Sequence, residues 1–519
     1  MTTDAITKKE ESLTDRPQPP GSPPRESAPS ILREDQPSVA RGFAMAGAAL
    51  VIFGGMALAF NLFGRAVRVS TGWSIFCVTV GLFGMLFHAA FDRDVQLRRL
   101  YMLFGFGTLA LGVALCLIPY PSAVGDLMRW GVPCLVIALL FLLAFLRNED
   151  DPYFRNLTQK VLGTAGAALA LGGLFGGNLR ADFFLPMGLV FSLIGLVYVT
   201  AYVGSRGVSD DTAYYASVGL AAAGGLVALV ALGRSLLTAG GSSYFVSVGV
   251  MLLFVGLLYA TVGLVMALDR PILVMTRREL GAFFYSPIVY LALLGFSACW
   301  WGSYWIFLGQ LLDVGPGSQP MLEPIVRNYY FSIVPVMVLL ALVPALTMRL
   351  LSEEQRSGTM EVLLTAPVDE PAIVLSKFFA ALITYLVMWL PSVLFLLAIP
   401  LAGGNAFDYR PLLSFAVVIL VTGGAFVSMG LFFSSLTKSQ IASFVLTFAG
   451  MVALMVVFFA GQATRDSAWE TVLKHVSFLD LWFSTLEGKI VPRFLLFWAS
   501  MTVLFLFVTV KVLESRKWR

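Results

Sequence analysis

Four ionisable side chains, Glu353, Glu354, Arg356 and Glu361, fall within nine residues of the stretch Leu350–Pro371, with Ser357, Gly358 and Thr359 among them. Ionised groups at this density are excluded from lipid, so the stretch belongs in water or against another protein. Thr359 opens a helical turn that runs until Pro367 stops it. Long apolar runs flank the stretch on both sides. A short polar helix held outside a bilayer between two spanning helices is suited to receiving force from a partner. The residues alone leave a solvated connector with a helical turn equally open.

Other reactive groups are sparse. The segment Gly461–Lys489 carries Trp469, His475, Asp480, Trp482 and Glu487. Its aromatics suit a membrane interface. His475 could serve a proton or a metal, but without clustered partners it reads better as polar surface. The four cysteines, Cys77, Cys116, Cys134 and Cys299, show no metal spacing and give no argument for disulfides. No GxxxxGK[ST], HExxH or GxSxG occurs, so the chain does not bind ATP through a P-loop and offers no hydrolytic constellation. The expectation is a non-enzyme with no cofactor of its own.

The elements that would position these residues are set by composition. The 519 residues are 58% hydrophobic and 13% charged, against roughly 25% charge in soluble proteins, and mean hydropathy is +0.83. The fold class expected is an all-α polytopic membrane protein. Runs long enough to span, about 20 residues each, fall near 42–63, 72–91, 100–118, 130–146, 161–177, 183–203, 212–232, 245–268, 288–311, 328–348, 376–400, 411–433, 441–461 and 491–511. None alternates as a barrel strand must. A net charge of +4 is too small and scattered to suggest nucleic acid.

Residues 1–40 hold seven prolines and little to bury, which predicts a disordered tail. No cleavable signal opens the chain. Lys and Arg placement puts both termini in the cytoplasm. The bias is weak over the first eight spans and stronger beyond, where Arg270, Arg277, Arg278, Arg349, Arg356, Lys377 and Lys438 fall inside. The polar stretch is then on the side that holds ATP.

Residues 41–269 read as an N-terminal membrane domain of eight spans in four hairpins, with glycines such as Gly81, Gly84 and Gly105 suited to close helix packing. Their spacing is compatible with internal duplication or simply with short loops. The segment 271–287 places Ile272, Leu273, Leu280, Phe283 and Phe284 on one arc, with Arg277 and Arg278 toward the other side. Glu279 interrupts the apolar arc. An interfacial helix along the inner leaflet is expected, and the closing VLESRKWR reads as a basic anchor with Trp518.

Three stretches, EEQRSGTMEVLLTAPVDEPAIVLSKFFAAL (353–382), MGLFFSSLTKSQIASFVLTF (429–448) and LESRKWR (513–519), resemble permease subunits of ABC-2 type exporters. The nearest likeness is to the gliding-motility and copper-enzyme-maturation branch. The resemblance covers about 270–519 and implies a six-span permease domain in the cell inner membrane. Within it Glu354, Arg356, Gly358, Thr359 and Glu361 match a charged-Gly-Thr-Glu signature, and Pro367 the proline after it. With Glu353, these mark the ATPase-coupling helix. Arg277–Phe284 matches the elbow-like N-terminal helix. Ser434, Ser435, Leu436 and Gln440 match an inner loop between two late spans.

What the resemblance implies is a permease paired with a second membrane half, the same chain or a related one, and with two separate ABC ATP-binding subunits that carry the ATP and Mg. The eight additional spans depart from the family's usual unit. A membrane scaffold worked by an ATPase, with no transported solute, shares the same features and stays open.

Overall fold

The computed structural model describes residues 36–62, 71–91, 95–117, 124–179, 188–205, 208–237, 249–268, 270–285, 287–312, 325–330, 333–360, 369–401, 410–464 and 467–517. Nearly all of these are helical, and no strand occurs among them. The helices are α1 (Gln36–Leu62), α2 (Thr71–Phe91), α3 (Val95–Leu117), α4 (Val124–Asn148), α5 (Pro152–Leu179), α6 (Leu189–Val203), α7 (Asp210–Leu237) and α8 (Val250–Ala267). There follow α9 (Pro271–Tyr285), α10 (Pro287–Leu312), α11 (Ile325–Tyr330), α12 (Ile333–Thr347), α13 (Ser352–Ser357) and α14 (Glu370–Leu401). The chain closes with α15 (Arg410–Leu436), α16 (Gln440–Ala463), α17 (Ser467–Val476), α18 (Phe478–Leu486) and α19 (Pro492–Lys517).

A helix lies at each of the expected spans, and nine of them are long and apolar enough to cross a membrane among the described residues. Backbone groups in lipid must be satisfied within their own segment, which helices do. The chain is an all-α, multi-pass membrane protein. Two boundaries differ from expectation. Helix α1 starts at Gln36, inside the segment read as tail, and the rest of that tail lies outside the described residues. The span expected at 328–348 is divided between α11 and α12, with residues 331–332 outside the described residues.

The contacts divide the chain into two compact units. One comprises 1–110 and 137–158. There α1 and α2 pack backbone to backbone: a Cβ on Gly47 would stand 2.6 Å from the Gly81 carbonyl oxygen. No side chain fits, which is why small residues line such crossings. Gly105 instead makes room for the Leu142 side chain. Tyr101 and His88 are buried and joined at 3.0 Å, and Asn148 donates to the Ala89 carbonyl at 3.1 Å.

The second unit comprises 111–136 and 159–519. From Gln159 of α5 onward, α5 to α8 and the described residues of 270–519 therefore fall in one unit, and Val393, Leu412 and Leu413 pack against the core of α5 to α8. The change in sequence texture at 269/270 is not a gap in packing. Within this unit α7 and α8 meet through Gly224 and Gly256, where a Cβ would come within 2.5–2.8 Å of the opposing carbonyl.

Farther along, a cluster of aromatic rings fills the space between α10, α11, α14, α15 and α18. Trp300 lies 5.6 Å from Trp389, which lies 5.6 Å from Trp482, with Tyr329, Tyr330 and Phe415 against them. Trp482, expected at a membrane interface, is 2% exposed. It sits in this core and donates its indole N–H to the Thr422 hydroxyl at 3.2 Å. The reason is geometric: α17 and α18 form a short helical pair that turns back into the bundle, so the apolar face Phe478, Leu479, Leu481, Trp482 and Leu486 is buried between spans. Trp469, on α17, remains exposed.

Candidate functional site

The polar stretch is a break in a helix. Met348–Leu351 form a turn, Ser352–Ser357 form α13, and Gly358 then takes φ +76°. That left-handed conformation costs a residue with a Cβ roughly 1–2 kcal/mol, which explains a glycine between two short helical pieces. Thr359 and Met360 are helical beyond it. The rest of the turn expected from Thr359, with Glu361 and Pro367, falls at 361–368, outside the described residues.

Helix α13 has two distinct faces. Glu353, Arg356, Ser357, Gly358 and Thr359 are exposed, with the Ser357 and Thr359 hydroxyls 2.8 Å apart. Ser352, Gln355 and Met360 are buried. Glu354 turns sideways: its carboxylate accepts from the Lys377 ammonium at 2.6 Å. The same ammonium donates to Glu279 of α9 at 3.2 Å. Lys377, on α14, is 4% exposed at its side chain, against 21% and 23% for the two carboxylates. One buried cation therefore ties together three elements. An ammonium has three donors and no acceptor, so it can serve two carboxylates that would otherwise repel each other.

This pairing accounts for the irregular α9. Glu279, which interrupts the apolar arc, is where the helix meets Lys377. On the rest of that arc Phe283 is buried, under the Arg349 guanidinium at 5.5 Å. Arg277 reaches back to the carbonyls of Val265 and Leu268 at the end of α8, where a cation complements the helix dipole. Arg278 is exposed, and the Phe284 side chain lies outside the described residues. Helix α9 packs along α14, so one of its faces lies on protein.

The late inner loop closes the site from the other side. A helix start leaves its first N–H groups without intrahelical partners, and α13 has no capping side chain of its own. The Ser434 hydroxyl, at the end of α15, accepts from Leu351 N–H at 3.0 Å and Ser352 N–H at 3.1 Å. Gln355 donates to the Ser435 carbonyl at 2.9 Å, and Arg516 of α19 donates to the same oxygen at 2.7 Å. Arg516, read as part of a lipid anchor, is bound to protein. Trp518 lies outside the described residues. Leu436 is exposed, and Gln440 opens α16 after the Ser439 cap.

Three motifs that are far apart in sequence thus converge. The sequence reading counted Lys377 only as a topology charge and did not single out Gln355. The available signals were the break in amphipathicity at Glu279 and the three-residue spacing of Ser352 and Gln355. The His475 ring lies tilted against Phe494 and edge-on to Phe497, at 4.9 and 5.3 Å, and no group of three or more metal-ligating side chains occurs among the described residues.

Residues 227–477 match the family model described as ABC-2 family transporter protein. The match starts within α7 and ends at the residue before α18, so it includes α13, the Lys377 contacts and the Ser434 loop. It supports an ABC-2 type permease in that segment, and membrane domains of this family generally work with an ABC ATP-binding subunit. No curated protein and no solved structure shows significant similarity to the chain.

Proposed function

We propose, from the ABC-2 family match over 227–477, that the chain is the transmembrane permease subunit of an ATP-driven exporter. The exposed face Glu353, Arg356, Ser357 and Thr359 docks on a separate ABC ATP-binding subunit that carries ATP and Mg, with Glu361 assigned to the same contact from the sequence signature alone. The single observation that carries this is the two-sidedness of α13. Its outer face is exposed and charged, while its other side is fastened to Lys377 of α14 and to Ser434 and Ser435 of α15, partners that Glu279 of α9 and Arg516 of α19 share. Displacement of the outer face must move the inner ends of those helices.

In this reading two ATPase copies serve two permease halves, a homodimer or a pair of related subunits. The polar stretch and both termini face the cytoplasm across the cell membrane. The six-span unit 270–519 is the coupling domain and 41–269 an accessory one. The gliding-motility and copper-enzyme-maturation branch is the nearest candidate grouping.

A second reading has a specific observation in its favour. The space between α10, α14, α15 and α18 is filled with packed aromatic rings, and its polar atoms are hydroxyls and indole N–H groups such as Ser392, Thr422 and Trp482. An ATPase-driven membrane scaffold, or a carrier of an amphiphile and not of an ion, would be built that way.

The test is affinity capture from the native membrane, with wild type beside Glu353→Lys/Arg356→Glu. Wild type should recover a P-loop ATPase, and the charge-reversed chain should lose it while inserting normally. Equal recovery by both chains would overturn the docking assignment. Energised vesicles, loaded with candidate amphiphiles, then separate an exporter from a scaffold.

A further inference from the structure

A cavity of about 410 Å³ lies within α5 to α8 and shares no lining residue with the Lys377 site. Its volume falls in the ~300–1,000 Å³ range of small-ligand sites. It exists because each hairpin is packed tightly within itself. Helices α5 and α6 touch where a Cβ on Gly195 would come 2.3 Å from Ala170 N, and α7 and α8 touch through Gly224 and Gly263. Between the two hairpins the facing positions are small. Gly163 and Ala167 on α5 look across to Gly219 and Ala223 on α7, and a Cβ added at Gly219 would find no atom within 4 Å.

The wall is almost wholly apolar, with the Tyr259 ring as its floor. Polar chemistry is confined to one end. Lys160 is exposed there and makes no ion pair with a described residue. It sits about 12 Å into α5 at 1.5 Å per residue, after Asn156, Thr158 and Gln159, where the polar start of the helix gives way to its apolar run. Tyr202, whose ring would stand 3.2 Å from a Cβ added at Gly163, adds a phenol with no hydrogen bond to a described residue. A lysine stem lies along apolar surface while its ammonium reaches the interface.

We propose that this cavity holds one acyl chain of an anionic phospholipid, with the headgroup phosphate paired to Lys160 and the tail along the Gly163–Gly219 gap. A peptide would need backbone partners along the wall, and the wall has none. A neutral lipid would leave the cation unanswered. The single cation at one end of an apolar slot matches an amphiphile with one anionic head.

The test is native mass spectrometry of the full chain in neutral detergent, with palmitoyl-oleoyl phosphatidylglycerol or the matching phosphatidylcholine added. Wild type should retain one phosphatidylglycerol over phosphatidylcholine by about fivefold, the ratio that ~1 kcal/mol per interfacial basic residue converts to. Lys160→Gln should abolish that preference. Gly219→Leu, whose side chain has open space to enter, should lower retention of both lipids. An indifferent wild type, or a preference that survives Lys160→Gln, would overturn the site as merely annular lipid. Undiminished retention in a monodisperse Gly219→Leu protein would place the lipid elsewhere and overturn it too. Should Gly219→Leu fail to fold, Lys160→Gln decides alone.

Discussion

At the scale of single residues, the Lys377 ammonium carries the most consequence. Breaking a fully buried ion pair costs about 3–5 kcal/mol, while an exposed one is worth about 0–1. Lys377 is buried but its carboxylates are about one-fifth exposed, so the loss falls between these limits. Lys377→Met should destabilise by about 2–3 kcal/mol, because Glu279 and Glu354 are left side by side without a cation. Adding Glu279→Gln and Glu354→Gln should recover most of that loss, since no uncompensated charge then remains. Thermal unfolding in detergent reads both; a triple variant no better than the single would point to lost packing instead.

Asp480 supplies a pH dependence on the same scale. Burial holds its carboxyl above the ordinary 3.8, against the lowering pull of the Ser477 hydroxyl and Lys474, and Oδ2 has no hydrogen-bond partner. The folded chain keeps the proton where the unfolded chain has released it, so stability falls as pH rises through that window. Asp480→Asn should therefore raise the Tm at pH 7, with the gain shrinking toward pH 4. A gain that is the same at both values would exclude titration as the cause.

At the scale of elements, α13 is too short to stand alone. Six residues make less than two turns, and isolated helices under about 12–15 residues are marginal. Its start is satisfied from α15 through Ser434, and its end is set by the left-handed Gly358. Ser434→Val strands two backbone donors, at about 1–3 kcal/mol for an unsatisfied buried group, and Ser434→Thr keeps the hydroxyl. The valine variant should expose α13 to limited proteolysis near Arg356, while the threonine variant should behave as wild type. Equal protection in both would mean that packing through Gln355 and Met360 suffices to hold the element.

For the whole molecule, the question is how much of the chain the ATPase contact needs. The fragment 270–519 contains α9, α13, the Lys377 contacts and the Ser434 loop. It lacks the α5–α8 core that packs on Val393, Leu412 and Leu413. We expect the fragment to insert and capture the ATPase, with a lower Tm than the full chain because that face is stripped. The full chain carrying Gly358→Pro should lose capture, since φ is fixed near −65° by the ring where +76° is required. A fragment that inserts and binds nothing would move the docking surface to the first half, toward Glu149–Asp151 and Arg155.

Composition and run length alone determined the membrane class and the position of each spanning helix. Lipid tolerates only apolar side chains and self-satisfied backbone, which leaves a signal local to about 20 residues. The polar stretch was legible for the same reason, as charge where lipid could not be. The partners of that stretch were not legible. Glu279, Glu354 and Lys377 are separated by 75 and 23 residues in sequence, and nothing local says that one ammonium serves both acids. The fate of Trp482 was hidden likewise, because an aromatic suits an interface or a core equally well. Only the return of α18 into the bundle placed it among Trp389 and Phe415. Helix packing in a membrane is decided by where backbones can approach and which polar atoms remain to be matched, and both are properties of pairs that only the tertiary structure brings together.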